Sequence, residues 1–272
     1  MFSIANDWNG RPVLESVALN RNTEVTFPDG VEVIAGPART SNGGFLFTNS
    51  YDRSIIQRVT MPSSVKRIRV AAFEGCEKLS EVYLSDTLTN IGVSAFAYCD
   101  SLKGIDIPGT VDVIESHAFY LCSNLVDLVI GNGVREIGYS AFYNCKSLVG
   151  DGENGLVIPD SVKLIGNGAF MNAGIRKLTI PKGAAVEPWA FAWCKNLESV
   201  NIGGVVVSSP KRLSARNRLL AATSSNPDAI TIGNNAFSGN KALSSVIIGS
   251  TVEVSSFRDD TFIISRLIWT AD

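Results

Sequence analysis

Leu79-Ser-Glu-Val82-Tyr-Leu84-Ser-Asp-Thr-Leu88-Thr-Asn-Ile91-Gly92-Val-Ser-Ala95-Phe96-Ala-Tyr-Cys99 returns in the next stretch of chain as Leu102, Ile105, Ile107, Val111, Ile114, Ala118, Phe119 and Cys122, each in its own slot. Aligned on the Ala-Phe pair, the unit appears seven times, at Phe73, Phe96, Phe119, Phe142, Phe170, Phe191 and Phe237. The intervals of 23, 23, 23, 28, 21 and 46 residues describe one parent period, with an insertion near Asp151–Gly155, a deletion around Gly174 and Ala184, and one doubled step. A fixed period of this length is the mark of a solenoid, in which insertions become loops on one face while the stack continues.

Within the unit, Val82-x-Leu84 alternates with period two, which turns both side chains to one face of a short strand and leaves Glu81 and Tyr83 outward. Pro62, Pro108, Pro159 and Pro181 follow that strand and start a turn, since proline has no N–H for a ladder. Gly92, Gly138, Gly166 and Gly233 mark a second bend. Ala-Phe-x-x-Cys is too short for an independent helix and predicts a helical or 3-10 turn packed on its neighbours. A lone coil leaves its apolar side open; about eight coils at ~4.8 Å each close it into a body roughly 40 Å long.

The pattern Leu-x-x-Val-x-Ile-Pro-x-x-Val-x-x-Ile-Gly-x-x-Ala-Phe-x-x-Cys resembles the BspA-like (Treponema pallidum type) leucine-rich repeat family, over about residues 55–203 and 228–250. Together these readings predict an α/β repeat fold: a β-rich, right-handed leucine-rich-repeat solenoid with short helical or 3-10 turns. The resemblance implies a surface protein of oral or gut bacteria or mucosal protists, associated with adhesion and matrix binding, and it brings no catalytic motif.

The chain divides into a leading segment over 1–58, repeats over 59–203, an insertion over 204–229, and last repeats with a closing cap over 230–272. The leading segment reads as a degenerate coil through Leu14, Val17, Leu19, Val31, Val33 and Ile34, with Phe45 and Phe47 displaced by a Gly/Ser/Asn-rich stretch. Thr261-Phe262 stands where Ala-Phe belongs, Leu267-Ile268-Trp269 supplies a last strand, and Trp269 is expected to cover the final coil. The insertion holds Lys211, Arg212, Arg216 and Arg218 among serines, with no acid before Asp228. A solvated loop and a contact point for an acidic partner or lipid headgroup are both compatible with that composition.

Composition excludes several classes. The 272 residues are 45% apolar, so a sizeable core is available, and 24 Lys+Arg against 26 Asp+Glu leave none of the basic excess that nucleic acid requires. No apolar run reaches the length of a membrane span. The opening Met1 to Trp8 stretch lacks the basic head and apolar core of a secretory signal, so the chain reads as soluble, as a trimmed chain also would.

Motifs suggestive of chemistry have simpler readings. Gly150-Asp-Gly152-Glu-Asn-Gly155 fits G-x-G-x-x-G, but a strand follows where a dinucleotide site needs a helix, leaving an insertion loop or a weak calcium contact through Asp151 and Glu153. His117 is the only histidine and occupies a slot filled elsewhere by Ser94, Ser140, Gly168, Trp189 and Asn235, which reads as a surface position. Cys76, Cys99, Cys122, Cys145 and Cys194 share an inward slot with Ala173 and Asn240 and read as buried, reduced space-fillers. No cofactor or metal is expected.

Two surfaces carry candidate binding residues. Arg58, Glu81, Tyr83, Asp106, Asp127, Lys177, Thr179 and Asn201 flank the strand centres on the curved sheet face. Tyr98, Tyr120, Tyr143, Trp189 and Trp193 line the turn side as a possible aromatic ridge, suited to sugars or a partner, or simply packed between coils. The expectation is a non-catalytic scaffold for a protein, including host matrix or cell-surface proteins, or a glycan. A structural spacer of a larger surface protein and an intracellular protein–protein interaction module are the alternatives.

Overall fold

A computed structural model describes residues 1–35, 50–203, 230–249 and 267–270. The Lys211–Arg218 group, Phe45, Phe47 and Thr261-Phe262 lie outside these residues, as does the Trp269 side chain.

Each full coil has three sides. The first is the expected strand: Arg58–Thr60, Glu81–Tyr83, Gly104–Ile107, Asp127–Ile130, Leu156–Val157, Lys177–Ile180, Ser199–Ile202, Ser245–Gly249 and Leu267–Thr270. Neighbouring coils pair in parallel, in sheets of three, two and five strands. Register is one coil to one coil: Ile105 faces Leu128, and Leu178 faces Leu156 on one side and Val200 on the other. Val82, Ile105, Leu128 and Leu178 are all buried, and Leu84 packs half-buried against them, as the alternation predicts.

The second side was not read from the sequence. Two-residue strands such as Asn90–Ile91, Val113–Ile114, Glu136–Ile137 and Leu164–Ile165 join a single sheet of ten strands. The coil therefore has two strands, and the glycine after the second one marks where the chain leaves this sheet. At its N-terminal edge the sheet ends in an antiparallel hairpin, Phe2–Asn6 against Pro12–Val17. Its turn is tied by the Asp7 carboxylate, which accepts from the Asn9 amide at 2.9 Å and the Arg11 guanidinium at 3.0 Å. Leu14, Val17, Leu19, Val31, Val33 and Ile34 are buried behind it.

The third side corrects the expectation of helical or 3-10 turns. Ala95-Phe96-Ala97-Tyr98 is a run of turns; among the described residues the one 3-10 helix is Gly152–Asn154, inside the insertion, and the one α-helix is Ser50–Ile55. The cause is backbone sign. Ser94 and Tyr98 have φ of +55° and +61°, which no right-handed helix allows, and the same two slots are left-handed in coil after coil: His117 and Leu121, Ser140 and Asn144, Trp189 and Trp193. Amides then alternate in direction. Those of Ala95, Ala97 and Cys99 close local turns onto Gly92, Ser94 and Phe96, while those of Ser94, Phe96 and Tyr98 donate to the carbonyls of Ser116, Ala118 and Tyr120 in the next coil at 2.8–3.0 Å. This ribbon ladder satisfies a backbone that runs over the core without a regular sheet, and it offsets left-handed conformations that each cost on the order of 1–2 kcal/mol.

Inside, the repeat phenylalanines form one column. Ring centroids from Phe73 through Phe237 lie 4.9 to 5.4 Å apart with planes within 10° of parallel, and Phe27 extends the column at its N-terminal end.

Candidate binding surfaces

On the first side of the coils, the residues flanking each buried strand centre point outward, and two clusters of three form within the predicted group of eight. Arg58, from the coil before Glu81, donates to it through Nε at 2.8 Å and Nη2 at 3.2 Å, and reaches back to Glu24 at 2.9 Å. The Tyr83 hydroxyl donates to the same Glu81 carboxylate at 3.1 Å. These bonds hold the Glu81 carboxyl below its ordinary range, with the Arg58 guanidinium the main cause and Tyr83 second. Arg58, Glu81 and Tyr83 are thus an inter-coil brace before they are recognition groups, although Tyr83 remains 55% exposed.

The second cluster lines a cleft. Lys177 and Thr179 from one strand and Asn201 from the next line a groove of about 730 Å³, together with Asn132, Asn154, Val157, Pro159, Asp160, Pro181 and Lys182. One wall is the Asp151–Gly155 insertion, closed on itself by a bridge between those two residues and raising Asn154 beside the short strand Leu156–Val157. The other is made by the Pro159-Asp160 and Pro181-Lys182 turns. Asp106 and Asp127 stand exposed on the same face in the preceding coils. Sequence reading missed the groove's walls, although the five-residue insertion beside a shortened strand signalled where the face would be interrupted.

The aromatic residues do come together on the turn ribbon. Tyr120 stacks on Tyr143 at 5.1 Å and 11°, Tyr98 meets Tyr120 edge-on at 5.6 Å, and Trp189 leans on Trp193 at 5.8 Å. Gly239, at φ +75°, gives Trp193 its place: a Cβ there would overlap the indole. His117 is not a free surface residue as expected; it is half-buried with its ring edge-on to Tyr120 at 5.2 Å and Tyr139 at 5.1 Å, and burial lowers its pKa. Ser140, in the same slot, is buried outright. At His117 the slot is packed because Tyr120 of its own coil and Tyr139 of the next lie across it.

The profile of the BspA type Leucine rich repeat region matches residues 46–150 and 153–267, in six copies. The chain belongs to this family. Among solved structures, a leucine-rich repeat protein of Bacteroides ovatus is 23% identical, with 92% of this chain and 70% of that one covered at a TM-score of 0.60. The T. pallidum leucine-rich repeat protein is 25% identical, with 89% and 87% covered at a TM-score of 0.58. No curated protein matches the chain.

In this BspA-type repeat the cysteine slot does more than fill space. The Sγ–H groups of Cys99, Cys122, Cys145 and Cys194 donate to the carbonyls of Phe73, Phe96, Phe119 and Phe170 in the preceding coil at 3.1–3.3 Å. Asn240 does the same to Phe191 through Nδ2 at 2.9 Å. The presence of Asn in the slot was the readable signal of a donor. All five thiols are free and buried; burial pushes those of Cys76, Cys122 and Cys194 up to about 12 and those of Cys99 and Cys145 well above the ordinary thiol range. In the unfolded chain the thiols ionise first, so their contribution to stability is complete below the unfolded pKa, about 8.5, and declines as pH rises through the folded values. Two results are expected: a thiol reagent labels five cysteines only after denaturation, and melting temperature falls as pH climbs from about 9 toward 12. Fast labelling of any one cysteine in the native protein at neutral pH would show that its slot is open.

Proposed function

We propose that this BspA-type chain is a non-catalytic scaffold that binds a protein partner across the first side of its coils, in adhesion or matrix binding at a cell surface, with its coils wound right-handed as parallel crossovers almost always are. The observation that carries the reading is the groove at Lys177, Thr179 and Asn201, where ammonium, hydroxyl and amide groups from successive coils meet the carboxylate of Asp160 and the apolar surfaces of Val157, Pro159 and Pro181. A few convergent polar groups over an apolar floor suit an extended polypeptide. The chemistry of the described residues supports the non-catalytic reading. The thiols are held protonated by burial, and the His117 imidazole sits among tyrosine rings, so no activated nucleophile–base pair is assembled from them.

The test is capture of soluble extracellular-matrix proteins by the immobilised chain, compared with the triple variant Lys177→Ala, Thr179→Ala, Asn201→Ala. Retention should fall about tenfold or more, because central contacts carry most of an interface's energy. Equal retention by the triple variant removes the groove from the binding surface.

A further inference from the structure

The turn ribbon differs in chemistry from the sheet face. Across six successive coils its stretches read Val93–Tyr98, Ser116–Leu121, Tyr139–Asn144, Asn167–Asn172, Pro188–Trp193 and Asn234–Gly239, and none of them contains Asp, Glu, Lys or Arg. Charge stops at the borders, with Glu115 and Glu187 on one side and Asp100, Lys146 and Lys195 on the other. The coil before the strip carries Glu74 in the ribbon itself. Tyr98, Tyr139 and Trp193 are 44%, 51% and 44% exposed.

Three observations define what such a strip can receive. Its coils step by 5.0 and 5.2 Å from Phe142 through Phe170 to Phe191, close to the length that one pyranose adds to an extended polysaccharide, and Tyr139 and Trp193 stand on the first and last of these three coils. Tyr120 and Tyr143 turn their faces to each other, so they offer edges and hydroxyls, whereas Tyr139, packed on His117, and Trp193, packed on Trp189 and Gly239, still keep 51% and 44% of their surface in solvent. Between Tyr139 and Trp193 stand the partly exposed Tyr143 and Asn167 and the mutually bonded pair Asn144 and Asn172, whose hydroxyl and amide groups both donate and accept, the pairing that a sugar hydroxyl requires. A nucleic acid or acidic glycan would bring anions that meet no cation within the strip. A neutral glycan has no charge to lose.

We infer that the turn ribbon from Val93 to Trp193 is a second binding surface, specific for a neutral polysaccharide. C–H faces of the sugar rest on Tyr139 and Trp193, and its hydroxyls bond to the amides and hydroxyls between them. This surface is separate from the sheet-face groove and does not depend on it.

The experiment is affinity electrophoresis of the whole chain in native gels containing amylose, mannan, xylan or laminarin, with polygalacturonate as the acidic comparison. The wild-type chain should be retarded by at least one neutral polysaccharide. Tyr139→Ala and Trp193→Ala should each weaken that retardation about tenfold, a loss of 1.4 kcal/mol, while the Lys177/Thr179/Asn201 triple variant migrates as wild type does. Thermal melts check folding; Tyr139, whose ring is half in solvent, decides the matter where Trp193→Ala is unstable. The inference is overturned by any of three outcomes: no retardation in the four neutral gels, retardation by polygalacturonate alone, or retardation that Tyr139→Ala leaves intact. Capture of a protein that Tyr139→Ala abolishes, without polysaccharide binding, overturns it equally.

Discussion

Phe119→Ala should lower the stability of the fold by roughly 3–5 kcal/mol, the range for emptying a core aromatic site. The ring is fully buried and stacked between Phe96 at 5.2 Å and Phe142 at 5.1 Å, with planes 6° and 4° from parallel. Two features place the cost in the upper part of the range. The neighbouring rings are fixed by their own stacking and cannot swing into the vacancy, so little of the cavity collapses. The backbone is pinned as well, because the Phe119 amide donates to Ala141 and the Phe119 carbonyl accepts from both the Cys122 amide and the Cys145 thiol. Chemical denaturation followed by circular dichroism gives the number. A change below about 1 kcal/mol would mean that the ring is not part of the core.

The second large effect belongs to a residue without a side chain. Gly133 has φ +148° and lies against the preceding coil so closely that a Cβ would stand 1.9 Å from the Gly109 carbonyl oxygen. Its amide donates to Ser161 Oγ at 2.8 Å, and Gly131 two residues earlier donates to Ile107 at 2.8 Å, so the turn is held from both neighbouring coils. An obstructing flexible side chain would move aside; here the obstacle is backbone. Gly133→Ala combines overpacking with an unfavourable φ, and a loss on the order of 2–4 kcal/mol is expected. Stability within about 0.5 kcal/mol of wild type would show that the turn can open without disturbing its neighbours.

What could be read in advance follows from how much sequence each feature occupies. The Ala-Phe pair recurs seven times about a 23-residue parent period and carries the first strand with it, so the burial of the column and of that strand was legible. The ten-stranded sheet was not, because strands such as Asn90–Ile91 are two residues long and alternation needs about four to declare itself. The ribbon was misread for a different reason. Ala95, Phe96 and Cys99 fall at helical spacing, and the residues that break the helix, Ser94 and Tyr98, are ordinary ones. The signal lay across coils: Gly75, Asn144, Asn172 and Gly239 share the slot of Tyr98, and Gly168 and Asn235 that of Ser94, and glycine and asparagine are the residues that accept left-handed backbone. The groove lay beyond reach because its lining comes from Asn132, Asn154, Lys177 and Asn201, dispersed over much of the chain and joined only by stacking. The brace of Arg58 with Glu24 and Glu81 was hidden similarly, since one side chain spans three coils.

The forward-donating ribbon also means that the molecule has no internal ruler. Every coil offers the same carbonyls behind it and the same amides ahead, so a further copy of residues 102–124 would meet familiar neighbours on both sides. Total length is the least constrained property of such a body, whereas a single altered ring or turn is felt in the coil that carries it and in those above and below.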